Sequence, residues 1–206
     1  VFELNADLPA ELVPLSWLIG VWEGTGVMAY RVGDEVRERE FGQRIAFTPE
    51  GGTHLQYSCA SWLLPEDGDD EAAAHPRHLF SELGYWRLSR SLGDGDNGPG
   101  MLPRTADEPY TTTEQVESLR NAAGAFDIEV HLVQPGGVSE LYLGQINGPR
   151  IDVATDAVLR SATAKEYSAA TRMYGLVEEH LLWAWDIAAL GQDLRTHASA
   201  RLGRAQ

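Results

Sequence analysis

Six histidines, His54, His75, His78, His131, His180 and His197, are the side chains best suited to hold a metal or move a proton near neutral pH. They are scattered, and no HExxH pair, nucleophile elbow, phosphate loop or paired-cysteine site accompanies them. His75 and His78 lie beside an acidic loop, His131 alternates with Asp127 and Glu129 on an outward face, and His180 sits at a turn. These four read as solvated. His54 opens a strand and His197 lies within the last one, so these two are the candidates for a cavity. Strict alternation around His197 gives one face of Leu194, Ala198, Ala200 and Leu202 and another of Arg195, His197, Ser199 and Arg201. In a sheet with one wet side His197 points to water. In a ligand-binding barrel the mixed polar wall is the inner one, and a neutral imidazole there can coordinate a haem iron and leave the opposite position open.

The elements that must position such a histidine are strands. Gly20-Val-Trp-Glu-Gly-Thr-Gly26 reads GxWxGxG, with Gly20, Gly24 and Gly26 on one strand face and Trp22 beside them. Glycine at alternate positions weakens a strand unless another backbone or a ligand approaches closely, and Trp22 can plug the end of a barrel. Before it, Leu8–Ile19 predicts a short helix, with Leu12, Leu15 and Ile19 at helical spacing. Period-two alternation then runs through Phe41–Thr48, Thr53–Leu64, Leu79–Ser89 and, most clearly, Phe126–Val133. Pro135-Gly-Gly137 and Asn147-Gly148 mark hairpins into Val138–Ile146 and Arg150–Leu159, and Ser168–Val177, Leu181–Ala189 and Leu194–Leu202 complete the set. Pro65–Pro76 reads as a solvated acidic loop and Leu92–Pro109 as a mobile irregular stretch, a candidate lid over the barrel mouth. About ten strands with no βαβ rhythm predict an all-β fold: an antiparallel up-and-down β-barrel of the calycin or fatty-acid-binding-protein kind, one domain over residues 1–206, with a short N-terminal helix.

A formal net charge of −15 excludes general electrostatic binding to nucleic acid or an anionic membrane surface. Cys59, the sole cysteine, excludes an internal disulfide and reads as a buried, inert thiol. No apolar run approaches the roughly 20 residues of a membrane span, and the first residues carry no signal-peptide pattern. The expectation is a cytoplasmic protein.

Four stretches together resemble the nitrobindin family of small haem-binding β-barrels: the GxWxGxG motif, Glu82-Leu-Gly-Tyr-Trp-Arg-Leu88, Thr163-Ala-Lys-Glu166 and Gly191-Gln-Asp-Leu-Arg-Thr-His-Ala198. The resemblance implies haem b in the barrel, with His197 as its axial metal ligand and Lys165 toward a propionate. It also implies that Gly20, Trp22, Gly24 and Gly26 form a strand beside the cofactor. The implied activity is nitric oxide binding and conversion of peroxynitrite to nitrate at ferric haem, in a protein that forms homodimers. Haem-binding members follow the glycine motif with Tyr-Pro-Thr-Ile; here Tyr30 is followed by Arg31-Val-Gly-Asp34, as in a longer actinobacterial branch. The alternative is a non-catalytic carrier or sensor of a small apolar ligand such as a fatty acid, with Arg195 or Arg201 pairing its carboxylate. The apolar face Leu194, Ala198, Ala200 and Leu202 is the candidate dimer surface if its opposite lines the cavity.

Overall fold

A computed structural model describes residues 8–33, 35–65 and 77–205. Ten antiparallel strands close on themselves: β1 (Gly20–Val32), β2 (Glu35–Pro49), β3 (His54–Leu63), β4 (Arg77–Leu88), β5 (Phe126–Gln134), β6 (Val138–Asn147), β7 (Arg150–Arg160), β8 (Tyr167–Val177), β9 (His180–Ala189) and β10 (Arg195–Arg204). Each strand pairs with its neighbours in sequence, and β1 pairs with β10 to close the barrel. Closure leaves no sheet edge along the paired length. The expected strands are all present. β2 begins earlier than its apolar alternation, because Glu35–Glu40 extends the β1–β2 hairpin as a largely exposed charged ribbon. Most of the expected acidic loop, residues 66–76 with His75, lies outside the described residues, as do residues 1–7.

One end of the barrel is sealed. The N-terminal segment Ala10–Leu18 is a 3₁₀ helix, kept tight by Pro14, and it buries Leu12, Leu15 and Leu18 completely. Trp22 is fully buried beside it and donates its indole N–H to the Leu18 carbonyl at 2.8 Å, so the plug expected from the motif is in place. Above it Phe47, Tyr57, Trp86 and Tyr174 pack as tilted and edge-to-face pairs with centroids 5.1–5.9 Å apart.

The β4–β5 connection, expected to be mobile and considered as a lid over the mouth, belongs to this sealed end. Arg90 donates to both oxygens of Glu11 (2.7 and 2.8 Å) and of Asp96 (2.9 and 2.6 Å), tying the connection to the N-terminal helix. A short helix α1 (Thr113–Glu117), started by a Thr112–Gln115 capping box, puts Val116 into the core. The connection leaves from Leu88 and returns at Phe126, both at the plugged end, so the up-and-down topology keeps it away from the mouth.

Candidate functional site

The other end of the barrel opens into a cavity of about 470 Å³. Its walls are mostly aromatic and aliphatic, with Phe41, Leu63, Leu79, Phe80, Trp183 and Trp185 prominent. Its polar members are few and convergent: Tyr30, Arg39, Gln43 and Ser61 on the β1–β3 side, Tyr57, Glu82, Arg172 and Tyr174 deeper, and His197. The volume falls within the range of about 300–1,000 Å³ usual for small-molecule sites.

His197 reaches this cavity because β10 is bulged. Thr196 pairs with Asp186 and Ala198 with Trp185, so His197 is an extra residue with no partner on β9. The bulge sets His197 and Ala198 on the same wall. Beyond it, Ala198, Ala200 and Leu202 are buried inside while Ser199 and Arg201 face out. This corrects two expectations. Arg201 does not share the cavity wall with His197, so it cannot pair a ligand carboxylate there, whereas Arg195, opposite Ile187 before the bulge, keeps the side of His197 without lining the cavity. Ala198, Ala200 and Leu202 are interior and unavailable as a dimer surface. Strict alternation failed for one physical reason, the inserted residue at 197. His54, the other histidine considered, instead packs edge-to-face on the exposed Tyr85 ring at 5.1 Å.

The β1–β10 ladder ends at Met28–Ala198, and the next β1 carbonyl, Ala29, lies 3.1 Å from His197 Nδ1. A carbonyl can only accept, so Nδ1 carries the proton and Nε2 keeps its lone pair. The ring also packs edge-to-face on Trp185, centroids 5.6 Å apart. Burial lowers the His197 pKa from its ordinary 6.5, against the raising effect of the Ala29 hydrogen bond. The imidazole is therefore neutral at pH 7 and available as a ligand.

The other expected site residues stand back from the cavity. Gly24 and Gly26 lie where a Cβ would meet β10 backbone at 2.4 Å, and at Gly26 the Phe41 ring at 2.5 Å as well. The glycine stripe thus makes room for neighbouring chain, one layer behind the wall that Phe41 forms. Gly20, at φ +124°, turns the chain into β1, and Trp22 belongs to the plug. Lys165 is exposed on the β7–β8 turn, at the mouth end but not in the wall.

The structure adds a polar cluster that alternation did not reveal. Arg172 on β8 reaches across the lumen to Glu82 on β4, Nη1 and Nη2 donating at 2.6 and 2.9 Å. Its Nε donates to the Tyr142 hydroxyl at 3.0 Å, and Glu140 lies 3.7 Å from Nη2. Tyr57 donates to Glu82 at 2.8 Å, and Tyr142, Tyr167 and Gln134 donate to Glu140 at 2.5, 2.6 and 2.8 Å. The Arg172 and Glu82 side chains are 4% and 2% exposed. Burial opposes charge on Arg172, but the adjacent Glu82 carboxylate helps to offset it, and the net effect holds its pKa well above the ordinary value. Burial likewise keeps the Tyr174 phenol protonated, its pKa pushed up to about 12. The guanidinium also lies 4.3 Å over the Trp185 ring.

A closed antiparallel barrel with a half-buried neutral histidine in an aromatic cavity defines a class: ligand-cavity barrels with a single imidazole donor in the wall. Residues 11–204 match the family described as the THAP4-like, heme-binding beta-barrel domain, and the chain belongs to that family. It is similar to proteins named peroxynitrite isomerase from Leifsonia xyli subsp. xyli (63% identical, all of both chains) and Clavibacter michiganensis subsp. michiganensis (61%, 98% of each). Another from Kocuria rhizophila is 52% identical over 99% of this chain and 95% of the relative. The crystal structure of Rv2717c from M. tuberculosis has the same fold, with a TM-score of 0.65 at 23% identity over 99% of this chain and all of that one.

The residues present fit a haem. Among the described residues no group of three or more histidine, cysteine or acidic side chains could hold a bare metal ion. A single neutral imidazole in an apolar wall would suit an iron whose remaining ligands are supplied by a porphyrin.

Proposed function

We propose that the chain binds haem b through His197 Nε2 and converts peroxynitrite to nitrate. The observation that carries this reading is the His197 geometry: its Nδ1 proton is committed to the Ala29 carbonyl, which aims an unprotonated Nε2 from an aromatic wall. The name shared by relatives up to 63% identical along the whole chain supplies the substrate. Ferric haem, when bound, supplies an electrophilic iron for the rearrangement of the O–O bond of a small oxyanion.

The protein's own part is placement and exclusion. His197 would hold the iron, and Phe41, Phe80, Trp183 and Trp185 give the cavity an apolar wall that disfavours water beside it. Lys165, on a turn at the mouth, contacts a propionate in this reading. Gly20, Trp22, Gly24 and Gly26 act indirectly, by holding β1 and β10 close enough for Ala29 to meet His197. The chain works as one barrel domain in the cytoplasm and forms homodimers through a surface other than the buried residues of β10.

The test is an absorbance titration with ferric haem beside His197→Ala, followed by stopped-flow peroxynitrite decay. A saturable Soret band that His197→Ala abolishes, with faster decay in the loaded protein, is the expected result. A band unchanged by the substitution would overturn the assignment of His197.

A further inference from the structure

The cluster at the deep end of the cavity is built like an anion site that is already filled. The Arg172 guanidinium and the Tyr57 hydroxyl converge on one point, and the carboxylate of Glu82 sits there, accepting from Arg172 at 2.6 and 2.9 Å and from Tyr57 at 2.8 Å. All three residues also line the cavity, together with Tyr174, whose hydroxyl lies 3.5 Å from Arg172 Nη1. A second buried carboxylate, Glu140, is 3.7 Å from the same guanidinium. Two carboxylates facing one guanidinium leave the deep end net negative, and any further anion there meets repulsion in a medium that screens it poorly.

We propose that Glu82 is a specificity-determining residue: a resident carboxylate that occupies the Arg172–Tyr57 anion site and shuts the deep end of the cavity to free monocarboxylates. Occupants must then keep their own anionic groups at the mouth, where Tyr30 and Arg39 line the wall. This separates the barrel from a carrier that would draw a fatty-acid carboxylate inward. Removing the Glu82 carboxylate should turn the exclusion into binding, because the donors on Arg172 and Tyr57 lose their acceptor while the space beside them opens.

The inference stands apart from the assignment of haem, since its readouts use the haem-free full chain and carboxylates alone. Tryptophan emission, to which Trp185 beneath Arg172 contributes, is titrated with decanoate for the wild type and for Glu82→Ala, and melting temperature is measured with and without acetate. We expect no saturable decanoate binding by the wild type and saturable binding by Glu82→Ala. The expected gain is about 10–100-fold in affinity, the worth of one hydrogen bond to a charged group. Acetate should raise the melting temperature of Glu82→Ala and leave that of the wild type unchanged. Saturable decanoate binding by the wild type overturns the proposal even if Glu82→Ala does not fold. So does a folded Glu82→Ala that gains neither decanoate binding nor an acetate effect.

Discussion

Replacing Arg172 by methionine tests the buried electrostatics most directly. Methionine keeps much of the apolar stem but deletes the guanidinium, leaving Glu82, 2% exposed, with only the Tyr57 hydroxyl as donor. Glu140 keeps its three neutral donors but loses its nearest positive charge. Breaking a buried ion pair from one side costs about 3–5 kcal/mol, two to four orders of magnitude in the folded-to-unfolded ratio. Against a total stability of about 5–15 kcal/mol that is a large fraction, but the barrel should survive. A second variant identifies the cause as a stranded charge. The pair Glu82→Gln with Arg172→Met should recover at least about 1.5 kcal/mol over the single variant, since no unpaired charge remains at position 82. Urea denaturation followed by tryptophan emission measures both. A loss below about 1 kcal/mol for Arg172→Met, or a double variant no better than the single, would refute the reasoning.

Three further outcomes follow from the same geometry. Gly26→Ala places a methyl 2.5 Å from the Phe41 ring and 2.4 Å from the Ser199 carbonyl oxygen; a loss of about 1–3 kcal/mol in urea denaturation, with altered ligand uptake, is expected. Asp96 is held near pKa 2 by its hydrogen bonds to Arg90, below its ordinary 3.8. Its stabilisation is therefore complete above pH 3.8 and fades as pH falls toward 2, and Arg90→Ala should remove this acid-side dependence, worth about 1–2 kcal/mol after solvent screening, in a pH series of melts. The depressed His197 pKa means that its proton titration, followed by imidazole NMR, has a midpoint below 6.5. The stabilisation from its neutral form is present above that ordinary value and is lost as pH falls through the depressed one, and haem affinity should weaken over the same acid range.

Most of the barrel was legible because period-two patterns and turn residues agree locally. In β5 every even residue from Phe126 to Leu132 is buried, and Asn147-Gly148 makes the β6–β7 hairpin where it stands in the sequence. His197 was legible as a candidate, but its wall was not. A bulge inserts one residue without a compositional mark, so the alternation on either side reads as one unbroken strand and assigns Ser199 and Arg201 to the wrong side. The Arg172–Glu82 pair was missed for another reason: its partners lie 90 residues apart on strands that are not neighbours. A signal did exist. Arg172 shares the phase of Ala170 and Tyr174, Glu82 that of Trp86 and Leu88, and Glu140 that of Val138 and Tyr142. A charged residue on the apolar phase of a strand points inward, and an inward charge requires a partner across the lumen.

The glycine motif and the histidine, read separately in the sequence, prove to be two ends of one arrangement. Without side chains at Gly24 and Gly26, β1 lies close against β10, and the inner space this frees is taken by Phe41, Ala200 and Leu202. The ladder between the two strands then stops at Met28–Ala198, where the bulge lifts β10 away. An unpaired carbonyl there would carry a desolvation cost, and His197 Nδ1 meets it at Ala29. The same bond selects the tautomer that leaves Nε2 free. The glycines therefore bear on ligation without touching the cavity: what they fix is the register that brings an orphan carbonyl opposite the one histidine in its wall.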